Sequence, residues 1–121
     1  MFDDRSPIYR QIADRIKADV ASGALAPDEQ VMSTNQYASF FGINPATAQK
    51  AFQQLVDEGV LYKRRGLGMY VSPGAREALL AEKRNRYFDA VLGPALDEAA
   101  AIGIAPEDIR SFIEAHGKRR T

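Results

Sequence analysis

Near the start of the chain apolar residues recur every fourth position, as Ile8, Ile12, Ile16 and Val20, with Tyr9 and Ala13 widening the stripe. Arg10, Asp14, Arg15 and Lys17 take the opposite face. That period predicts an amphipathic supporting helix over about 7–22, its isoleucine stripe in the core. Ser6 is placed to cap it, Pro7 suits its first turn and Gly23 its end. Pro27 and Asp28 then form a turn that carries the chain to Ser33. A second short helix is expected from Ser33, its cap, to Gly42, a left-handed end, with Tyr37, Phe40 and Phe41 as buried bulk. A third follows almost at once. Asn44 caps it, Pro45 sits where a first-turn proline is tolerated, and Gly59 closes it. Ala48, Ala51, Phe52, Leu55 and Val56 form its inward stripe. At about 100° per residue, Ala46, Lys50, Gln53 and Asp57 then lie on the outer side, flanked by Gln49 and Thr47.

Two helices joined within a few residues are the layout of a helix-turn-helix. Val60–Arg65 and Met69–Ser72 read as strands of a hairpin around Gly66-Leu67-Gly68, where glycines supply turn geometry and let the tip approach another surface. Directly behind a helix-turn-helix, that hairpin reads as a wing. Ser72-Pro73-Gly74 is a natural boundary, which divides the chain into a winged helix-turn-helix domain over 1–73 and a helical remainder over 74–121. In the remainder, Ala75–Leu92 is expected to be helical, with Leu79, Leu80, Tyr87, Phe88, Val91 and Leu92 as apolar positions. Gly93-Pro94 should kink or break it. Ala95–Ile102 resumes the helix and Gly103 ends it. Pro106–Ala115 forms a last helix with Ile109, Phe112 and Ile113 inward, and Lys118 to Thr121 reads as a frayed end or, alternatively, a weak phosphate contact. Helices of this size cannot bury both faces alone, so they pack on the first domain or on a second copy. The apolar positions just named are therefore the dimerisation candidates. The fold class is mostly α with a small β-hairpin (α+β).

Composition adds limits. With 121 residues the chain supports one domain plus an appendage, or two very small units. No run approaches the roughly 18–20 apolar residues that cross a bilayer, and Met-Phe-Asp-Asp-Arg does not resemble a signal peptide. There is no cysteine, which excludes disulfides and thiolate zinc sites and makes a cytoplasmic address the simplest reading. Net charge is zero, from 16 basic and 16 acidic residues, so local charge carries more information. Between Gln30 and Val56 the only charged side chain is Lys50, and Lys63, Arg64 and Arg65 come in a row before the glycine tip. A surface that approaches phosphates needs local freedom from carboxylates more than a high isoelectric point.

In a helix-turn-helix the first turns of the second helix enter the major groove of DNA. Asn44, Ala46, Thr47, Gln49, Lys50 and Gln53 are thus the candidates for base and backbone contact. Lys50 suits guanine O6 and N7 or a phosphate, Gln49 and Gln53 suit adenine edges, and Ala46 with the Thr47 methyl suits thymine methyls. Asn44 equally serves as an ordinary cap, and Gln53 as part of a solvated face. Lys63, Arg64 and Arg65 lead into the wing, whose Gly66 and Gly68 backbone can follow phosphates or enter the minor groove. Arg10 is a lesser phosphate candidate. Catalysis is disfavoured: there is no cysteine and no histidine pair at metal spacing, and the one Gly-x-Gly is not followed by the helix of a nucleotide site. No cofactor or metal is expected. The competing reading is a winged-helix protein-interaction module without DNA binding, which needs an apolar outer face on the third helix.

These residues resemble the GntR-type bacterial transcription regulators, and among them the short YtrA-like branch. The pattern is Pro7-Ile8-Tyr9-Arg10-Gln11-Ile12-Ala13-Asp14-Arg15-Ile16, Ser22-Gly23-Ala24-Leu25 and Gly42-Ile43-Asn44-Pro45-Ala46-Thr47-Ala48. It continues through Leu55, Glu58-Gly59-Val60-Leu61 and Arg64-Arg65-Gly66-Leu67-Gly68-Met69-Tyr70-Val71. The resemblance implies a homodimer on double-stranded operator DNA, dimerised by its C-terminal helices, repressing promoters and released by a small-molecule effector. It carries Ser33 and the position of Asn35 into the DNA-binding set, as part of a Pro-Ser-x-Arg motif that here reads Met32-Ser33-Thr34-Asn35. Leu67 stands between the wing glycines where many relatives carry arginine, and Gln49 takes a position that is often basic.

Overall fold

The structure, a computed structural model, describes Phe2 and residues 4–120, with Arg120 by its backbone alone. In chain order it contains α1 (Ile8–Ser22), α2 (Thr34–Phe41), α3 (Pro45–Asp57), β1 (Leu61–Arg64), β2 (Gly68–Val71), α4 (Ala75–Tyr87), a π-helical turn (Phe88–Leu92), α5 (Gly93–Ala101) and α6 (Pro106–Arg120). Two compact units divide it, Met1–Ala81 and Glu82–Thr121. Among the described residues no helix is long and apolar enough to cross a membrane.

The first unit is built on the periodic stripes. Ile12, Ala13, Ile16 and Val20 of α1 pack with Ala51, Phe52 and Leu55 of α3 and with Val60, Leu61 and Val71 around the hairpin. Local chemistry fixes the helix ends. Ser33 Oγ accepts from the Gln36 backbone N–H while the Ser33 N–H donates to Gln36 Oε1, a reciprocal capping box. Asn44 Oδ1 accepts from the Ala46 N–H at 2.8 Å, and Pro45 opens α3, where its missing N–H costs nothing. Gly42 ends α2 at φ 65°, a left-handed conformation that side chains resist.

Three expectations for this unit change. Ser6 caps nothing: Pro7 is the N-cap of α1, without a side-chain cap bond, and the Ser6 carbonyl accepts from the Gln11 amide. Ile8 is 41% exposed, because Tyr9 beside it takes the first-turn packing against the core. Phe40 is 72% exposed, since the two-turn α2 turns Tyr37 and Ala38 inward and leaves Phe40 edge-on against Phe41. Gly59 closes α3 as expected: it follows the C-cap Glu58 at φ 79°, and the Val60 N–H donates to the Leu55 carbonyl.

The hairpin is antiparallel, pairing Leu61 with Val71, Tyr62 with Tyr70, Lys63 with Met69 and Arg64 with Gly68. Its second strand is covered on the other side too. Val31 N–H donates to the Met69 carbonyl and Val71 N–H to the Glu29 carbonyl, and Gln30 bridges Tyr70. The 28–31 segment, read as a turn from sequence, thus runs beside β2 through an isolated bridge and covers part of that sheet edge.

In the C-terminal part the chain does not break at Gly93-Pro94. It stays helical through a π turn in which the Gly93 N–H donates to the Phe88 carbonyl, five residues back. The wider turn accommodates a proline that an α-helix interior rejects. Gly93 is required there, since a Cβ would sit 2.8 Å from the Phe88 carbonyl oxygen. Helix α6 runs to Arg120, so the stretch expected to fray is helical, and Thr121 lies outside the described residues. Phe112 and Ile113 are not inward: they are 63% and 61% exposed, and only Ile109 is half-buried. Tyr87, Phe88 and Val91 are exposed and Leu92 half-buried, because three short helical pieces leave one apolar side uncovered. Leu80 is half-buried, while Leu79 packs against the core of the first unit.

Candidate nucleic-acid interface

Helix α3 turns Ala48, Ala51, Phe52 and Leu55 into the core, which leaves Ala46, Gln49, Lys50 and Gln53 exposed on its other side. With Thr34 at the start of α2, and Lys63 and Met69 from the two strands, these four residues line one open groove. Among the described residues no carboxylate lines it. Thr47 is half-buried at the flank, and Asn44 stands exposed at the helix start with one oxygen committed to the cap.

Two of the groove's polar side chains are held by neighbours. Gln53 Nε2 donates to Asp57 Oδ1 at 2.9 Å, and Lys63 Nζ donates to Gln53 Oε1 at 3.5 Å, which links α3 to the wing. Lys50 Nζ lies 4.1 Å from the centre of the Tyr9 ring, and the Arg10 guanidinium lies 5.9 Å from the same ring. A cation over a tyrosine face is attracted by about 0.5–1 kcal/mol at an exposed site. Tyr9 therefore gathers Lys50 and Arg10 onto one surface, a role that its place in the apolar stripe conceals.

At the wing tip Gly66 and Gly68 have φ of 76° and 107°, and the Leu67 N–H donates to the Arg64 carbonyl. Gln30 Nε2 donates to the Leu67 carbonyl at 2.7 Å and so ties the tip to the 28–31 segment. Arg64 lies over Tyr70 at 5.0 Å, Tyr70 stacks on Tyr62, and Arg65 and Leu67 are exposed. The Tyr62 hydroxyl donates to Asp28 Oδ1 at 2.7 Å, and this bond to a carboxylate, with some burial, pushes the Tyr62 phenol up. Ser33 is occupied by its capping box, whereas Asn35 is exposed on the first turn of α2.

The structure thus brings Ala46, Gln49, Lys50, Gln53 and Lys63 into one groove and Arg64, Arg65, Gly66 and Gly68 to one tip. Arg10 joins through Tyr9, while Ser33 and Asn35 do not line the groove. Sequence reasoning did not find Tyr9, Gln30, Thr34 or Met69. Of these, only the β-strand alternation of Met69 with Tyr70 carries a sequence signal. Among the described residues no cluster of side chains could hold a metal ion.

Residues 8–71 match the bacterial regulatory proteins of the gntR family. The chain is 40% identical over 74 residues to the HTH-type transcriptional repressor NagR of Bacillus subtilis, covering 61% of this chain and 30% of NagR. It thus spans less than a third of that longer relative. To the HTH-type transcriptional repressor YtrA of Bacillus subtilis it is 35% identical over 114 residues, 93% of this chain and 87% of YtrA. A transcriptional regulator from Oenococcus oeni superposes with a TM-score of 0.80 at 27% identity, over 95% of this chain and 94% of that one. The DBD of AraR in complex with operator ORR3 gives 0.54 at 29% identity, over 60% and 87% of the two chains. These relatives are regulators rather than enzymes. Matched by the family over more than half of its residues, and related to YtrA along nearly all of its length, this chain belongs to the GntR family of bacterial regulatory proteins.

Proposed function

We propose that the chain is a cytoplasmic, sequence-specific DNA-binding regulator: a homodimeric repressor that reads a palindromic operator and leaves it on meeting a small effector. The observation that carries this reading is the groove in which the outer face of α3 meets the wing, lined by no carboxylate among the described residues. Gln49, Lys50 and Gln53 supply donors and acceptors for base edges in the major groove, Ala46 and Thr47 the apolar contacts, and Asn44 joins them at the helix start. Lys63, Arg64 and Arg65, with the Gly66 and Gly68 backbone, meet phosphates, and Arg10 adds one more. The solved AraR complex with operator DNA supports this placement by likeness. The outer face of α3 is polar, which disfavours an adhesive protein-interaction surface. Exposed Tyr87, Phe88, Val91, Phe112 and Ile113 support dimerisation, which sets two recognition helices on half-sites about 34 Å apart.

Fluorescence anisotropy of the full chain on duplex from upstream of its own gene, titrated with salt, tests the proposal. Binding should exceed that to a scrambled duplex by about a thousandfold or more. Log affinity should fall linearly with log salt. Arg10, Lys50, Lys63, Arg64 and Arg65 in two protomers limit the slope to about −9, at roughly −0.9 per neutralised phosphate. Equal affinity for both duplexes, or a flat salt response, overturns it.

A further inference from the structure

A cleft of about 300 Å³ opens on the first unit, away from the groove. Its walls are Ile16 of α1, Leu25 and Val31 of the segment before α2, Phe41 of α2 and Phe52 of α3, and Tyr37 of α2 lines it as well. Such a volume lies at the lower end of the ~300–1,000 Å³ range of small-molecule sites, which are mostly apolar with a few placed polar groups.

Tyr37 supplies the polar group, its hydroxyl at the back of the wall with almost no surface open to the cleft, so that a guest reaches it by a small shift of the ring. The residue is only 6% exposed, and its hydroxyl has no hydrogen-bond partner among the described residues. A buried hydroxyl left unpaired opposes folding, and phenylalanine would fill the same space without it. Burial pushes the Tyr37 phenol up, while Arg15 draws it down and Asp19 pushes it further up. The hydroxyl is thus within electrostatic reach of two side chains that also line the cavity. Arg15 lies over the Phe41 ring at 5.2 Å, and Glu29 Oε1 accepts from the Ala26 N–H, so charges of both signs stand around the apolar walls. With Arg15 on the rim beside Asp19 and Glu29, neither sign of charge dominates, which favours a neutral guest.

We infer that this cavity is a binding site for a neutral molecule of one or two rings carrying a single hydroxyl, carbonyl or amide group, which pairs with the Tyr37 hydroxyl. The walls connect it to both halves of the DNA-reading surface. Phe52 belongs to α3 and meets the Tyr37 ring at 5.5 Å between centroids, and the Val31 N–H donates to the Met69 carbonyl of the wing. A guest that shifts these rings shifts α3 against the wing. The site therefore gives the effector response a location, and that consequence alone rests on the DNA-binding reading.

Phenol and toluene, nearly equal in shape and different in one hydroxyl, are suitable probes. They are titrated into the full chain without DNA while the methyl resonances of Ile16, Leu25 and Val31 are followed by NMR. Saturable shifts are expected with both, phenol binding roughly two- to tenfold more tightly, the worth of one net hydrogen bond. Tyr37→Phe should remove that preference, leave toluene binding intact and fold at least as stably. Leu25→Trp, which fills the cavity, should abolish both titrations. Absence of saturable shifts at millimolar phenol, equal affinity for the two probes, or a preference that survives Tyr37→Phe overturns the site, whatever the chain does with DNA. Saturating phenol should also change operator affinity at least twofold in the unmodified chain and not in Leu25→Trp, and an unchanged affinity overturns the coupling to α3.

Discussion

Replacing Gly68 with alanine places two costs on one atom. At φ 107° an L side chain is strained, by about 1–3 kcal/mol. The new Cβ would also lie 3.0 Å from Gln30 Nε2, the atom that donates to the Leu67 carbonyl. That amide sits at the end of a flexible side chain and moves aside readily, so the second cost is the broken hydrogen bond rather than a clash. For an exposed bond it falls at the low end of about 0.5–1.5 kcal/mol. Gly66 offers the comparison, because at φ 76° it has no atom within 4 Å of its added Cβ and carries strain alone. Urea unfolding of Gly68→Ala, Gln30→Ala and the double variant closes a thermodynamic cycle. Gly68→Ala should cost about 0.5–1 kcal/mol less in the Gln30→Ala background. Both single variants should weaken operator binding, because the wing tip loses its tie to the 28–31 segment. Strict additivity, with coupling below about 0.3 kcal/mol, would refute the idea that Gln30 holds the tip.

Arg65→Ala should weaken operator binding and flatten the salt slope by about 0.9 for each phosphate that Arg65 neutralises, read from anisotropy at several salt concentrations, and an unchanged slope removes Arg65 from the interface. Glu58 is paired with Lys17, joining the end of α3 to α1. Burial alone would push its carboxyl up, but Lys17 and Gln54 outweigh this and hold it below the ordinary 4.5. A lowered folded value means the stabilisation is complete above the unfolded value and disappears as pH falls through the folded one. Glu58→Gln should therefore cost about 0.2–1 kcal/mol at pH 7 in thermal or urea unfolding. The gap to the parent should close in acid, and a gap that persists there contradicts the pairing. Phe88→Ser with Phe112→Ser should shift micromolar sedimentation from dimer to monomer while leaving helix content intact, and a monomeric parent chain contradicts dimerisation.

Ser33, Gly42 and the Asn44-Pro45 pair were legible in the sequence because a cap acts on backbone groups two or three residues away. The inward stripe of α3 was legible for a similar reason, since one helix period orders it. Period assigns a face, however, and says nothing of what covers it. Ile8 and Phe40 carry the right spacing and are exposed, and Phe112 and Ile113 lie on a helix with too little around it. The π turn at Phe88–Leu92 was hidden because Gly-Pro is read as a break, although an expanded turn accommodates it as well. Residues acting across the fold were least visible. Gln30 reaches Leu67 across 37 positions, and Tyr9 meets Lys50 only once α1 and α3 are packed. The outer face of α3 was found from the stripe it excludes, and its meeting with Lys63 and Met69 needed the hairpin in place.

On the proposed reading, the outer face of α3 and the wing tip together rest on a duplex. Backbone amide shifts of the full chain, followed by NMR as duplex from upstream of its own gene is added, test it most directly. The largest changes should fall on Ala46, Gln49, Lys50 and Gln53 and on the run from Lys63 to Gly68. Changes confined to α5 and α6, with α3 undisturbed at saturating duplex, would contradict it.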